Sequence, residues 1–351
     1  MRDSIKREAN KLIKEKNPNL FSGNRDKFFR FINDYTKWYV IALAVFFIFF
    51  ILHLINIPLL NIIPIKEVSV KTLINSRTTN IVTMISVTFA IIGFLIANLA
   101  IKESFTYNIL FKKSGFFPVA FIALSLIVCF IVLSTFGDGL SIDYQSNALL
   151  VGSYLIFVVV FLIGYLFTKL VRFTNQKYIL NLVQRELISE SKRNLLKAGR
   201  TIVSSREVQK LGLYQYSMAF LRNMTKGDFV LPSDHNIISD IRINKLRKKI
   251  EAIEGRNKIF VNNIFLDREI ANNEDVFFFV DEADYTVLKQ ELRKLNNCII
   301  TSKKSEDTFT EAKEYVFQKL DENIKSNDNK LVGSYLDMLS EVYELQQKFQ
   351  I

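Results

Sequence analysis

The chain has 351 residues, 49% of them apolar and 13% aromatic, with a formal charge of +11. Two distant cysteines, Cys129 and Cys298, and two histidines, His53 and His235, exclude a disulfide framework and a zinc-type cluster within one chain. The positive charge implies attraction to anionic headgroups or polyanions and says nothing about fold.

The apolar residues are unevenly placed. From Trp38 to Phe167 the only charged residues are Lys66, Glu67, Lys71, Arg77, Lys102, Glu103, Lys112, Lys113, Asp138 and Asp143. Four uncharged stretches follow one another: Trp38 to Ile57, Ile81 to Ile101, Phe117 to Phe136, and Ala148 to Thr168. Each has the roughly 20 residues that a helix needs to cross a hydrocarbon core. The first begins far into the chain and is followed by no small-residue cleavage site, so it reads as an anchor and not a signal peptide.

Residues 1–37 form a basic segment with ten Lys or Arg against five Asp or Glu. Lys169, Arg172, Lys177 and Arg185 follow the fourth stretch, whereas the loop before it carries Asp138 and Asp143 with no basic residue. This bias predicts that both termini are cytoplasmic. Lys66, Lys71 and Arg77 run against it in the first outer loop, yet an even number of spans keeps the termini together.

Thr83, Ser86, Ala90, Gly93 and Ala97 recur at spacings of three and four in the second stretch, with Asn98 beside them. Such a stripe lets another helix approach closely, or lines a narrow aqueous path once subunits assemble. His53 and Asn56 sit three apart before Pro58, and an ionisable group at that depth is a site or is simply wet at the outer boundary. Asp138 and Asp143 lie around a Gly-Asp-Gly turn and would form acidic rings at a pore mouth in an oligomer.

Residues 38–171 thus read as a four-helix transmembrane domain and 172–226 as a helical connector, with no proline from Asn147 to Lys226 to break a helix running on to about Leu196. Residues 227–351 read as a cytoplasmic α+β sensor domain. Within it, Ile237 to Ile253 has the pattern of a basic amphipathic helix, Lys258 to Leu266 and Val276 to Val280 of strands, and Tyr285 to Leu295 of a helix. Cys298 to Thr301 is a further short strand, and Glu306 to Ile324 and Lys330 to Phe349 a C-terminal helical pair. In the last helix Leu331, Tyr335, Met338, Val342, Leu345 and Phe349 follow a heptad seam, with Val332, Leu336, Leu339 and Tyr343 as a second row.

Charge separates along this half: residues 172–258 carry 18 basic against 8 acidic residues, or +10, and residues 259–351 carry 11 against 18, or −7. The basic part suits anionic membrane lipid. Arg242, Lys245, Arg247, Lys248 and Lys249 are also candidates for a phosphate-bearing ligand, with Tyr214, Tyr216 and Phe220 as surfaces on which bases would stack. No glycine-rich phosphate loop, nucleophile elbow or His-Glu-x-x-His occurs, so no enzyme, cofactor or metal is expected.

The run Gly227-Asp228-Phe229-Val230 through Ile238-Ser239-Asp240-Ile241, then the pair around Ile264 and Phe278, is similar to glycine-punctuated β segments of bacterial membrane proteins with N-terminal spans and a cytoplasmic α+β domain. Span count, a basic cytoplasmic domain and absent catalytic residues also resemble membrane effectors of anti-phage systems, in particular the channel-forming partner of the Hailong nucleotidyltransferase. That resemblance implies a tetrameric inner-membrane channel controlled by a DNA oligomer on its cytoplasmic part. The residues point to a homo-oligomeric channel gated by an anionic nucleotide or oligonucleotide. The competing expectation is a non-conducting scaffold or receptor that recruits a cytoplasmic partner.

Overall fold

The computed structural model describes residues 4–21, 23, 28–29, 31–51, 70–100, 105, 109, 113–173, 175–215, 225–226, 237–254, 256–262, 264–270, 277–303 and 311–350. The chain divides into two compact units, one of residues 22–185 and one joining residues 1–21 to residues 186–351.

The first unit is helical. It contains α2 (Trp38–Ile51), α3 (Val70–Ala100), α4 (Phe116–Phe136) and α5 (Ile142–Arg172). Among the described residues three helices are long and apolar enough to cross a membrane, namely Thr72–Phe94 within α3, and all of α4 and α5; α2 is apolar but shorter. All four pack together. Phe49 of α2 is fully buried and meets Phe130 of α4 edge-on, with ring centroids 5.1 Å apart. Gly152 of α5 lies under both rings: a Cβ there would stand 2.5 Å from Phe130 Cζ and 2.7 Å from Phe49 Cε2. The Tyr144 hydroxyl donates to the Phe50 carbonyl (3.1 Å), and Ser134 Oγ donates to Asn75 Oδ1 (2.6 Å), tying α5 to α2 and α4 to α3.

The helix expected to run unbroken from the fourth stretch to about Leu196 is two helices. α5 stops at Arg172, and α6 (Gln176–Gln209) starts after a short break. The Phe173 amide closes α5 on the Leu170 and Val171 carbonyls. The Asn175 side chain then accepts from the amides of Lys177 and Tyr178 and caps α6. An Asx cap starts a new helix without proline because its side chain accepts from the first amides in place of the carbonyls of a preceding turn.

The second unit is α+β. Its larger sheet has the order β1 (Tyr214–Gln215), β4 (Phe260–Val261), β5 (Phe278–Asp281), β2 (Thr225–Lys226), with β1 and β4 parallel and the other pairs antiparallel. A second ladder pairs β3 (Ile237–Ile241) antiparallel with β6 (Ile299–Ser302), with an irregularity at Ser239. α7 (Ile243–Glu251) and α8 (Glu282–Asn296) follow β3 and β5. The hairpin of α9 (Glu311–Lys325) and α10 (Asn329–Gln347) ends the chain.

Two expectations need correction here. Ile237–Ile253 is not one helix: its first five residues pair with β6, because Ile238 and Ile241 enter the core on the strand, and only Ile243, Leu246 and Ile250 keep helical spacing. Of the strand expected over Lys258–Leu266, the described residues are extended in a ladder only at Phe260–Val261. Farther on, the backbone of Leu266 bonds instead to α6, its amide donating to Ser204 Oγ (2.9 Å) and its carbonyl accepting from Thr201 Oγ1 (3.2 Å).

The N-terminal helix α1 (Ile5–Lys16) belongs to this second unit. Ser4 caps it, and Ile5, Ala9 and Ile13, spaced by four, are fully buried. Ile5 and Ala9 share one core with Ile238, Ile241, Leu246, Phe278 and Leu292. Three polar ties accompany them: the Lys6 amide to Asp240 Oδ1 (3.1 Å), Arg200 Nε to Asn10 Oδ1 (2.9 Å), and Asn17 Nδ2 to the Gln350 carbonyl (2.7 Å). Residues at the two ends of the chain therefore fold as one body.

Candidate functional site

The stripe on α3 has a definite placement. At 100° per residue, buried Val70, Ile74, Ile81, Ile85 and Ile92 form one narrow row facing the helix bundle. Thr83, Ser86, Ala90 and Gly93 fall on the opposite side and are exposed, as are Thr72, Ser76 and Thr79, which extend the row toward the start of the helix. Of the three membrane-length helices α3 is the least covered: 17% of its apolar window is buried, against 39% in α4 and in α5. Thr83 Oγ1 donates to the Thr79 carbonyl (3.0 Å) and Thr79 Oγ1 to the Asn75 carbonyl (3.1 Å), so these hydroxyls are satisfied within the helix. The outer face of α3 thus carries mainly small side chains, with Phe94 exposed at its far end, and such a row suits close approach by another helix. The side chains of Ala97 and Asn98 lie outside the described residues, as do His53 and Asn56.

Asp143 is exposed in the first turn of α5, behind the cap formed by Ser141. Its charge complements the positive end of that helix. Asp138 lies in the 3-10 turn Gly137–Gly139, and its side chain is not among the described ones. Gln145 Nε2 fixes this turn by donating to the carbonyls of Gly137 (2.8 Å) and Leu140 (3.0 Å).

The basic cluster at α7 spreads and does not converge. Ile243, Leu246 and Ile250 face the core, Arg242 precedes the helix as its cap residue, and Lys245 and Lys248 are exposed on its outer side. Arg247 and Lys249 flank the buried row in opposite directions. Arg247 Nη2 lies 3.9 Å from Glu207 Oε2 of α6, and Lys249 Nζ donates to the Lys294 carbonyl at the end of α8. Arg247 and Lys249 thus hold α7 to its neighbours, and Lys249 shares the Lys294 carbonyl at the end of α8 with the Cys298 thiol. Tyr214 lies in β1, where only its backbone is described, and Tyr216 and Phe220 are outside the described residues.

A buried carboxylate was missed in the sequence. Glu190 of α6 accepts from the Ala312 amide at 2.9 Å and caps α9 from another helix. Burial pushes its carboxyl above the ordinary range; the amides of Ala312 and Lys313 and the Arg193 charge oppose this, and Glu186 adds to it. The only signal was position, since Glu190 continues the buried row of Val183 and Leu187. The native state therefore holds this proton more tightly than the unfolded chain, and stability falls as pH rises through the raised value. Glu190→Gln, which keeps an acceptor for Ala312, is expected to flatten that slope. Glu190→Ala is expected to lose about 1–2 kcal/mol at neutral pH by leaving the cap unmade, as read from denaturation curves.

No family model, curated protein or solved structure matches the chain.

Proposed function

We propose that the protein is a homo-oligomeric ion channel of a bacterial inner membrane. Each copy crosses the bilayer four times, both termini are cytoplasmic, and an anionic ligand on the cytoplasmic unit controls the pathway. The observation that carries the reading is the outward-facing small-residue row of α3, opposite the buried isoleucines. Four helices per copy are too few to enclose a pathway alone. Copies assembled with these rows toward a common axis would leave a narrow passage lined by Thr83, Ser86, Ala90 and Gly93.

The co-folding of α1 with residues 186–350 supports the topology. One hydrophobic core cannot be divided by a bilayer, so the chain between residues 21 and 186 crosses an even number of times. Three helices are long enough by themselves. α2 packs with α4 and α5, and the uncharged sequence from Trp38 to Ile57 has about the 20 residues of a crossing. The excess of basic residues in the N-terminal segment and after α5 supports the cytoplasmic assignment.

The exposed Arg242, Lys245 and Lys248 supply the ligand part of the reading, and the resemblance to anti-phage effectors makes a nucleotide or DNA oligomer the chemical class to try. The spread of the cluster favours a second reading, a scaffold whose basic surface serves lipid or a protein partner. Ion flux from liposomes holding the purified protein separates the two, with ATP and a short single-stranded DNA as probes. We expect probe-dependent flux in the wild type and its loss in Ser86→Phe and Gly93→Phe. A wild-type oligomer that passes no ions with either probe would leave the scaffold.

A further inference from the structure

The C-terminal hairpin leaves apolar surface uncovered. Of the seven large apolar side chains exposed in the second unit among its described residues, four lie here: Phe317, Ile324, Leu336 and Tyr343. On α10 the heptad seam is turned inward, with Tyr335 and Met338 buried, and the second row faces outward, with Leu336 51% and Tyr343 61% exposed. Val332 and Leu339, half-buried, complete that row. At 100° per residue the four fall within one narrow arc, and Lys330, Asp337, Glu341 and Glu344 all project from the other side of the helix.

We infer that this second row of α10 is a contact between copies of the chain, formed by the same row of a neighbouring subunit. Charge decides against two other occupants. Residues 311–350 carry eight acidic and five basic side chains, a balance of −3, which repels anionic lipid and nucleic acid. Area decides against a freely diffusing protein. A four-residue row offers a few hundred Å², whereas a stable interface takes about 800 Å² from each partner. A second copy held in the same membrane escapes that requirement, because tethering raises its effective concentration and a small seam then suffices. A row without charge also meets its own copy without like-charge repulsion.

This inference rests on the homo-oligomer proposed above, and the test separates the two. Leu336→Cys and Glu341→Cys are made in the full-length protein, purified in mild detergent and oxidised with copper phenanthroline; both native cysteines are buried, so the wild type gives the background. Leu336 is near the middle of the row and meets its counterpart whether the helices pair parallel or antiparallel. We expect loss of the monomer band to covalent dimer in Leu336→Cys, and no dimer above background in Glu341→Cys on the charged side. Light scattering gives the mass of the same particles. An oligomer in which Leu336→Cys stays monomeric on the gel, or in which both variants cross-link alike, overturns the α10 contact alone. A monomeric particle overturns it together with the oligomeric reading.

Discussion

Removing residues 1–21 is expected to unfold the rest of the second unit, residues 186–351, although the two segments are far apart in sequence. Fully burying a large aliphatic side chain stabilises by about 1.5–3 kcal/mol. Ile5 and Ile13 together thus contribute about 3–6 kcal/mol, against a typical domain stability of about 5–15 kcal/mol. The loss also opens the core around Ile238 and Ile241 and leaves Asp240, Arg200 and the Gln350 carbonyl without Lys6, Asn10 and Asn17. The truncated protein should melt about 10 °C or more below wild type. Limited proteolysis should cut within residues 186–351, and an added peptide of residues 4–21 should restore protection. Ile5→Asp with Ala9→Asp should reproduce the defect in the full-length chain. A truncated protein with wild-type melting and an unchanged cleavage pattern would remove α1 from the core and the even-crossing argument with it.

Gly152→Leu is expected to break the helical unit. Even the first added carbon would overlap Phe130 and Phe49, and both rings are fully buried, so neither has open space to turn into. Overpacking a tight core costs about 1–3 kcal/mol for extra methylenes, and a whole isobutyl group between three helices should exceed that range. Purified in detergent, the variant should melt well below wild type or aggregate. Gly164→Leu on the same helix, where an added carbon meets nothing within 4 Å, should behave as wild type. Equal melting of the two variants would mean that α2, α4 and α5 do not meet at Gly152.

These two sites mark where reading the sequence ran out. The apolar stretches that became α4 and α5 were legible because a run of uncharged residues is a local signal, and the same holds for α8, α9 and α10 with their regular periods. The start of a new helix after Arg172 is written in the capping residue Asn175, whereas the absence of proline alone suggests continuity. Ile237–Ile253 merged because a strand ending in Ile241 and a helix beginning at Ile243 place their isoleucines at spacings that pass for one helix. Docking of α1 was only half legible: Ser4 and the Ile5, Ala9, Ile13 spacing announce an amphipathic helix, and nothing local names a partner more than 200 residues away. Gly152 had no signal, since its role depends on two rings from other helices. For the basic cluster, sequence supplied the charges of Arg247 and Lys249 but not the structural partners that engage them.

The outer face of α3 as the wall of an ion pathway is the central claim, and accessibility of Thr83 to a charged thiol reagent during current recording tests it most directly. Thr83→Cys, reconstituted in planar bilayers and activated by the probe that opens the wild type, should lose current stepwise as a methanethiosulfonate cation reacts, while the wild type with its two buried cysteines stays unaffected. Current through Thr83→Cys that persists unchanged under the reagent, or a folded oligomer that carries no current at all, would contradict the account.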